Sequence, residues 1–260
     1  MLAQFELPFR ISAHATLWQA LTTTGGFVIR NALPISLAWE AQEVGKAWFN
    51  YPELLKVHPY CHGTRIGYTA PGVERTVRSA PTLIRHAFDY RPGTCGIVGS
   101  IIMDPFYWEL ERVAFRVLEG IGADAQAVLE AVRGGPHVLR TARYLNTVVE
   151  TDQMLFPEHI DFGVFTLFIG GSTQGLEVKR EGEWVPITLP LGDVLIGAGS
   201  LLKQYCPEVV PMRHRVMGTS AQRTALFFFL EPRHDVVLPN GEVAGQFLNR
   251  VLSSVRNDGA

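Results

Sequence analysis

From Val138 onward the sequence breaks into seven short β-branched and aromatic runs, at 138–145, 164–170, 175–180, 184–188, 193–197, 213–217 and 222–230. Gly, Pro and polar turn residues separate them. Strands this short, at this spacing, must bury their apolar faces against one another, which argues for a closed or double-sheet β structure such as a jelly roll. Between two of the runs Glu181-Gly182 reads as a tight hairpin turn, with the glycine supplying positive φ.

The residues before this block carry helical rather than strand patterning. Leu7-Pro8-Phe9-Arg10-Ile11 reads as a short edge strand, Ser12 as the cap of a helix that stops at Gly25-Gly26, and Phe27 to Arg30 as a strand. A second helix follows Pro34, with Ser36 as its cap. Residues 50–103, rich in Pro, Gly, Arg and Tyr, read as irregular structure or short strands. Asp104-Pro105 supplies a cap and a first-turn proline for a helix with Leu110, Val113, Ala114, Val117, Leu118 and Ile121 on one face, which should back the sheet. Asp124 reads as the cap of a shorter helix ending near Gly134-Gly135, and residues 242–256 as a closing amphipathic helix. The chain is expected to be one domain of 260 residues: a helix-rich part over 1–136, a β core over 137–232 and a C-terminal helix over 233–260.

Within the β block, His159 and Asp161 stand two apart in Pro157-Glu158-His159-Ile160-Asp161-Phe162-Gly163. On an extended segment such residues share a face, so an imidazole and a carboxylate would converge. His214 is the best candidate for a third ligand. Two histidines and one carboxylate make the facial triad of non-haem Fe(II) oxygenases, which leaves positions open for co-substrate and O2. Arg223 opens the otherwise apolar run through Phe229. A buried guanidinium needs an anion, and its planar fork suits a carboxylate. The other histidines, at 14, 58, 62, 86, 137 and 234, lack such partners and read as surface or packing residues.

Composition narrows the classes of function. A formal net charge of −2 with no run of Lys or Arg argues against nucleic acid as a partner. No uncharged apolar run approaches the length of a membrane span, and three scattered cysteines without Cys-x-x-Cys spacing fit a reducing compartment. A cytoplasmic protein is the expectation.

Several segments in order resemble the isopenicillin N synthase-like branch of the Fe(II)/2-oxoglutarate-dependent oxygenases. They are 26–34, the Gly67-Tyr68-Thr69-Ala70-Pro71-Gly72-Val73-Glu74 stretch, the strand-like 139–144 ending in Tyr144, and the block from His159 to Pro232. The resemblance implies a double-stranded β-helix (jelly-roll, cupin-like) core backed by α-helices, with Fe(II) held by His159, Asp161 and His214. It also implies that Arg223 binds the distal carboxylate of 2-oxoglutarate and that Tyr144 offers its hydroxyl to that co-substrate. One departure is plain: the family's Arg-x-Ser is Arg223-Thr224-Ala225 here.

The implied activity is O2-dependent oxidation of an unactivated C–H bond of a small molecule, by hydroxylation or by desaturation or cyclisation, in secondary metabolism. An alternative within the family is an Fe(II)/O2 oxidase that uses no 2-oxoglutarate, with Arg223 holding substrate. Outside it stands a metal- or ligand-binding jelly roll without turnover. Arg65, Tyr68 and Arg143 are candidate substrate contacts, with Arg85 a further arginine that could meet a carboxylate.

Overall fold

The computed structural model describes residues 2–6, 13–50, 66–74, 85–93, 100–144, 154–219 and 223–255. The chain enters with a short strand, β1 (Gln4–Glu6), and a helix, α1 (Ala13–Thr23). Strand β2 (Gly26–Arg30) lies parallel to β1, and helix α2 (Ile35–Trp48) follows. The edge strand expected at Leu7–Ile11 and the cap at Ser12 fall outside the described residues. Ser36 is not the cap of α2: the helix begins directly after Pro34, as expected, but Pro34 itself takes the cap position, with no side-chain cap bond. Proline's preset φ suits a helix entry.

Two strands, β3 (Gly67–Thr69) and β4 (Arg85–Tyr90), form an antiparallel pair in the stretch read as irregular or short strands. Helix α3 (Ser100–Ile121) overturns the expected start at Asp104-Pro105, since it already runs through both residues. Met103, Phe106 and Leu110 lie at i, i+3 and i+7 and are fully buried, so the extra turn adds to the core. Pro105 forfeits only the bond to Ile101 O, near the helix start. The Asp104 carboxylate instead accepts from the Tyr90 hydroxyl.

Asp124 is not a cap either. Gly122, at φ 76, ends α3 and leads into a 3-10 turn over Gly122–Ala125, so Asp124 lies inside that turn and Ala125 takes the cap position of α4 (Gln126–Val132).

All seven predicted β runs are strands: β5 (Val138–Tyr144), β7 (Phe165–Ile169), β8 (Leu176–Arg180), β9 (Glu183–Pro186), β10 (Val194–Ala198), β11 (His214–Met217) and β12 (Arg223–Leu230). Between β5 and β7 lies β6 (Met154–His159), which the run pattern does not single out. Positive φ at both Glu181 and Gly182 makes the β8–β9 turn a tight hairpin. A short helix α5 (Ser200–Tyr205) follows β10, and α6 (Ala244–Val255) closes the described chain.

The strands form two sheets, ordered β1-β2-β10-β7-β12-β5-β4-β3 and β6-β11-β8-β9. Alternation divides the large sheet's residues between two cores. Phe88, Leu139, Leu226 and Phe228 pack outward with residues of α1, α2 and α3, in a core that includes Leu17, Trp48, Phe106 and Leu110. Ala142, Tyr144, Phe168 and Ala225 face inward and pack with Phe156, Leu176, Val178 and Val216 of the small sheet. The architecture is the expected double-stranded β-helix backed by helices, open between its sheets.

Candidate metal and co-substrate site

The metal-ligand candidates come together through one irregularity in the small sheet. His214 pairs with His159, but Val216 pairs with Phe156, so β6 spends three residues where β11 spends two. Such a mismatch is a β-bulge. Pro157, which has no N–H for the ladder, lies inside it. The bulge lets both Phe156 and His159 turn inward, while Glu158 stays outside on Lys179 and Arg213.

Asp161 lies two residues past the end of β6, and its carboxylate reaches both rings. Oδ1 is 3.6 Å from His159 Nε2 and Oδ2 is 3.6 Å from His214 Nε2. The three donor atoms lie within 4.8 Å of one another. Each imidazole is oriented from behind: His159 Nδ1 is 2.9 Å from Pro157 O and His214 Nδ1 is 3.2 Å from Met212 O. A carbonyl can only accept, so Nδ1 carries the proton and the Nε2 lone pair faces Asp161.

Burial, with His214 beside it, pushes the His159 pKa down to about 3, and a neutral imidazole is the ligating form. Thr166 Oγ1 donates to Asp161 Oδ2 at 2.6 Å, which holds that carboxylate in place.

The triad opens into a cavity of about 790 Å3, solvent at its mouth included, lined also by Phe156, Phe168, Leu176, Phe227 and Phe229. Arg223 and Tyr144 sit on its wall, paired across β12 and β5, with the guanidinium 5.0 Å from the Tyr144 ring centroid. Arg223 is 5% exposed. Its Nε donates weakly to Ser172 O at 3.4 Å, while Nη1 is buried without an acceptor among the described residues. Burial pushes its pKa down. An unsatisfied buried guanidinium nitrogen is costly, and a carboxylate oxygen would remove that cost.

The N2O donor set fits a divalent iron, and the orphaned Arg223 Nη1 fits the distal carboxylate of 2-oxoglutarate. Ala225 faces the same side two residues on and offers no hydroxyl.

Of the remaining sequence candidates Arg85 also lines the cavity, and the others lie elsewhere. Arg65 is outside the described residues. Tyr68 is on β3 with its hydroxyl against His86 Nδ1, away from the residues that line the cavity. Arg143 points to the opposite face of β5, where Nη1 donates to Asn50 Oδ1 at 2.9 Å and Nη2 to Lys46 O at 2.7 Å. Residues one apart on a strand face opposite sides, so Tyr144 and Arg143 cannot both reach the cavity.

Sequence reasoning passed over Glu74, Arg140 and Thr166, which line it. Arg140 carried a usable signal, a charge inside an apolar strand, as Arg223 did.

Residues 136–232 match the 2OG-Fe(II) oxygenase superfamily. This stretch is a 2OG-Fe(II) oxygenase superfamily domain. The cofactors of the domain are those in its name, Fe(II) and 2-oxoglutarate.

Curated relatives of this oxygenase domain are distant. The 2'-deoxymugineic-acid 2'-dioxygenase of Hordeum vulgare is 25% identical over 122 residues, 46% of this chain and 36% of that protein. Isopenicillin N synthase of Streptomyces clavuligerus is 29% identical over 84 residues, 32% of this chain and 26% of that protein. The chain thus aligns with little more than a third of the first of these relatives and about a quarter of the second.

Solved structures agree over almost the whole fold. A full-length Neurospora crassa protein, crystallised in complex with alpha-KG, superposes with a TM-score of 0.82 at 21% identity, over 97% of this chain and 96% of that one. The Arabidopsis thaliana dioxygenase for auxin oxidation 1, in its 2-oxoglutarate complex, gives 0.78 at 18% identity, over 91% and 94%.

Proposed function

We propose that this chain is a single-domain Fe(II)- and 2-oxoglutarate-dependent dioxygenase that oxidises an unactivated C–H bond of a small molecule, by hydroxylation or by desaturation or cyclisation, as in secondary metabolism. The observation that carries the reading is the buried, acceptor-less Nη1 of Arg223, in the same cavity as the His159, Asp161 and His214 cluster.

In this reading His159, Asp161 and His214 hold the iron, and Arg223 pairs with the distal carboxylate of 2-oxoglutarate. Tyr144 lies under that guanidinium and offers its hydroxyl to the same carboxylate. When bound, iron and 2-oxoglutarate supply an oxidant from O2, with the co-substrate consumed to succinate and CO2.

The chain's own residues do the rest by position. Pro157 O and Met212 O hold the imidazoles in the ligating tautomer, Thr166 holds the Asp161 carboxylate, and Phe156, Phe168 and Phe227 wall the cavity against water. A substrate held against those apolar walls would have a C–H bond close to the residues that would hold the iron.

The test is visible absorption of the Fe(II)-reconstituted protein, without oxygen, titrated with 2-oxoglutarate. A metal-to-ligand charge-transfer band should grow in the native protein and be lost in His159→Ala. In Arg223→Ala it should need roughly 10- to 150-fold more 2-oxoglutarate, the worth of a charge-assisted hydrogen bond. Iron binding without any such band would refute a role for 2-oxoglutarate, and no stoichiometric iron would refute the metal site.

A further inference from the structure

The inward residues of β4, β5 and β12 lie in ranks set by the register. Arg85, Tyr144 and Arg223 form one rank, Ala87, Ala142 and Ala225 the next, and Asp89, Arg140 and Phe227 a third. Arg140 in the third rank is well engaged. Its Nε and Nη2 donate to the two oxygens of Asp89 at 2.6 and 2.7 Å, and its Nη1 and Nη2 reach Glu74 at 3.1 and 2.9 Å. Glu74 also accepts from Arg85 Nη2 at 2.9 Å, bridging past the small alanine rank.

Arg85 therefore shares its carboxylate with a second arginine, and its own Nε is buried without an acceptor among the described residues. The side chain is 8% exposed. A guanidinium so buried, with a donor left over, carries a desolvation cost that a ligand oxygen would offset.

The position of that donor is informative. The Arg85 guanidinium lies over the Phe156 ring, 4.6 Å from its centroid, and the Phe156 ring is 4.3 Å from that of His159. Arg85 is thus one aromatic ring away from the metal-ligand cluster. It is also separated from Arg223 by Tyr144, the cross-strand partner of both.

We propose that Arg85 is a substrate-recognition residue, and that the substrate is a small carboxylic acid whose carboxylate pairs with this guanidinium while its carbon skeleton lies against Phe156 and Phe168. The inference rests on the function proposed above, in which Arg223 is taken up by 2-oxoglutarate. A carboxylate suits Arg85 better than a neutral carbonyl because the planar guanidinium edge matches two oxygens, and because Glu74 already divides its charge between two cations. A substrate held there by one end has its nearby C–H bonds beside the iron ligands.

The probes are phenylacetate and phenylacetamide, which differ in charge and little in shape. Each is titrated without oxygen into the protein loaded with Fe(II) and 2-oxoglutarate, and the shift of the charge-transfer band is followed. Phenylacetate should half-saturate about ten-fold or more below phenylacetamide, and in Arg85→Gln that advantage should vanish while the band itself persists. Equal response to the two probes in the native protein, preference for the amide, or no response to either overturns the inference without any variant. Loss of the band in folded Arg85→Gln would make Arg85 a co-substrate residue and also overturn it. A native protein that gives no band with 2-oxoglutarate refutes the function itself, and this inference with it.

Discussion

Thr166 lines the cavity without being a candidate metal ligand, yet it is the residue whose loss separates position from ligation. Its hydroxyl fixes one oxygen of Asp161 at 2.6 Å, the same oxygen that faces His214. Thr166→Val keeps the β-branched shape in β7 and removes only that bond. Iron affinity, read by competition with a chelator, should fall by roughly 10- to 100-fold, the usual effect of losing a ligand's outer hydrogen bond. Global stability measured by urea unfolding of the iron-free protein should change far less than in a core truncation. An unchanged iron affinity would remove Thr166 from the site. His159, Asp161, His214 and Arg223 were legible in the sequence because each is a chemically marked residue in a strand-like setting. Thr166 was not: in a run of Val, Phe, Thr, Leu and Phe it reads as one more β-branched strand residue.

At the scale of elements, two glycines show different reasons for the same residue. Gly182 turns the β8–β9 hairpin with φ 91, and a Cβ there would meet nothing within 4 Å. Gly182→Ala should therefore cost only the backbone term, about 1–2 kcal/mol. Gly170 ends β7 in an ordinary conformation, but a Cβ would fall 1.9 Å from Pro190 O and 2.8 Å from Asp193 O. Those atoms are backbone and cannot swing away, so Gly170→Ala should destabilise by about 3 kcal/mol, at the upper end of overpacking costs. Denaturant midpoints of the two variants check the order, and a Gly182 variant less stable than the Gly170 one would contradict it. Sequence punctuation identifies Gly182 as a turn residue, because Glu-Gly between two alternating runs has a local meaning. It says nothing of why Gly170 is there, since the atoms that exclude a side chain belong to the segment just before β10.

For the whole molecule, two histidines, buried His137 and half-buried His159, tie folding to pH. Burial, with Arg91 nearby, pushes the His137 pKa down to about 3, and His159 is held equally low. His137 Nδ1 accepts from the Glu231 N–H at 3.1 Å, so its neutral form is built into the fold. Both groups bind protons more readily when unfolded, where the ordinary value near 6.5 applies. Their contribution is thus complete above about pH 6.5 and lost as pH falls from there toward 3, by about 3 kcal/mol per histidine at about pH 4.5. Urea unfolding of the iron-free protein between about pH 7.5 and 4.5 should show that slope. His137→Phe should be less stable at neutral pH and flatter toward acid, and a slope equal to that of the native protein would refute the assignment.

What the sequence determined by itself was everything that depends on local pattern. The seven β runs, the hairpin at Glu181-Gly182, the amphipathic α3 and α6, and the marked residues of the site all follow from spacing along the chain. Even so, the cap of α2 and the starts of α3 and α4 were misplaced, because Pro34 and buried Met103 outweigh the cap signals at Ser36 and Asp104, and Gly122 draws Asp124 into a 3-10 turn. Tertiary structure alone decided which arginines face the cavity. Arg143 and Tyr144 are neighbours in sequence, yet the alternation of β5 sends one to α2 and the other to the cavity. It also decided that Arg85, Tyr144 and Arg223, from three separate strands, share one rank, since register between strands is set by packing across the sheet and not by any residue's nearest neighbours.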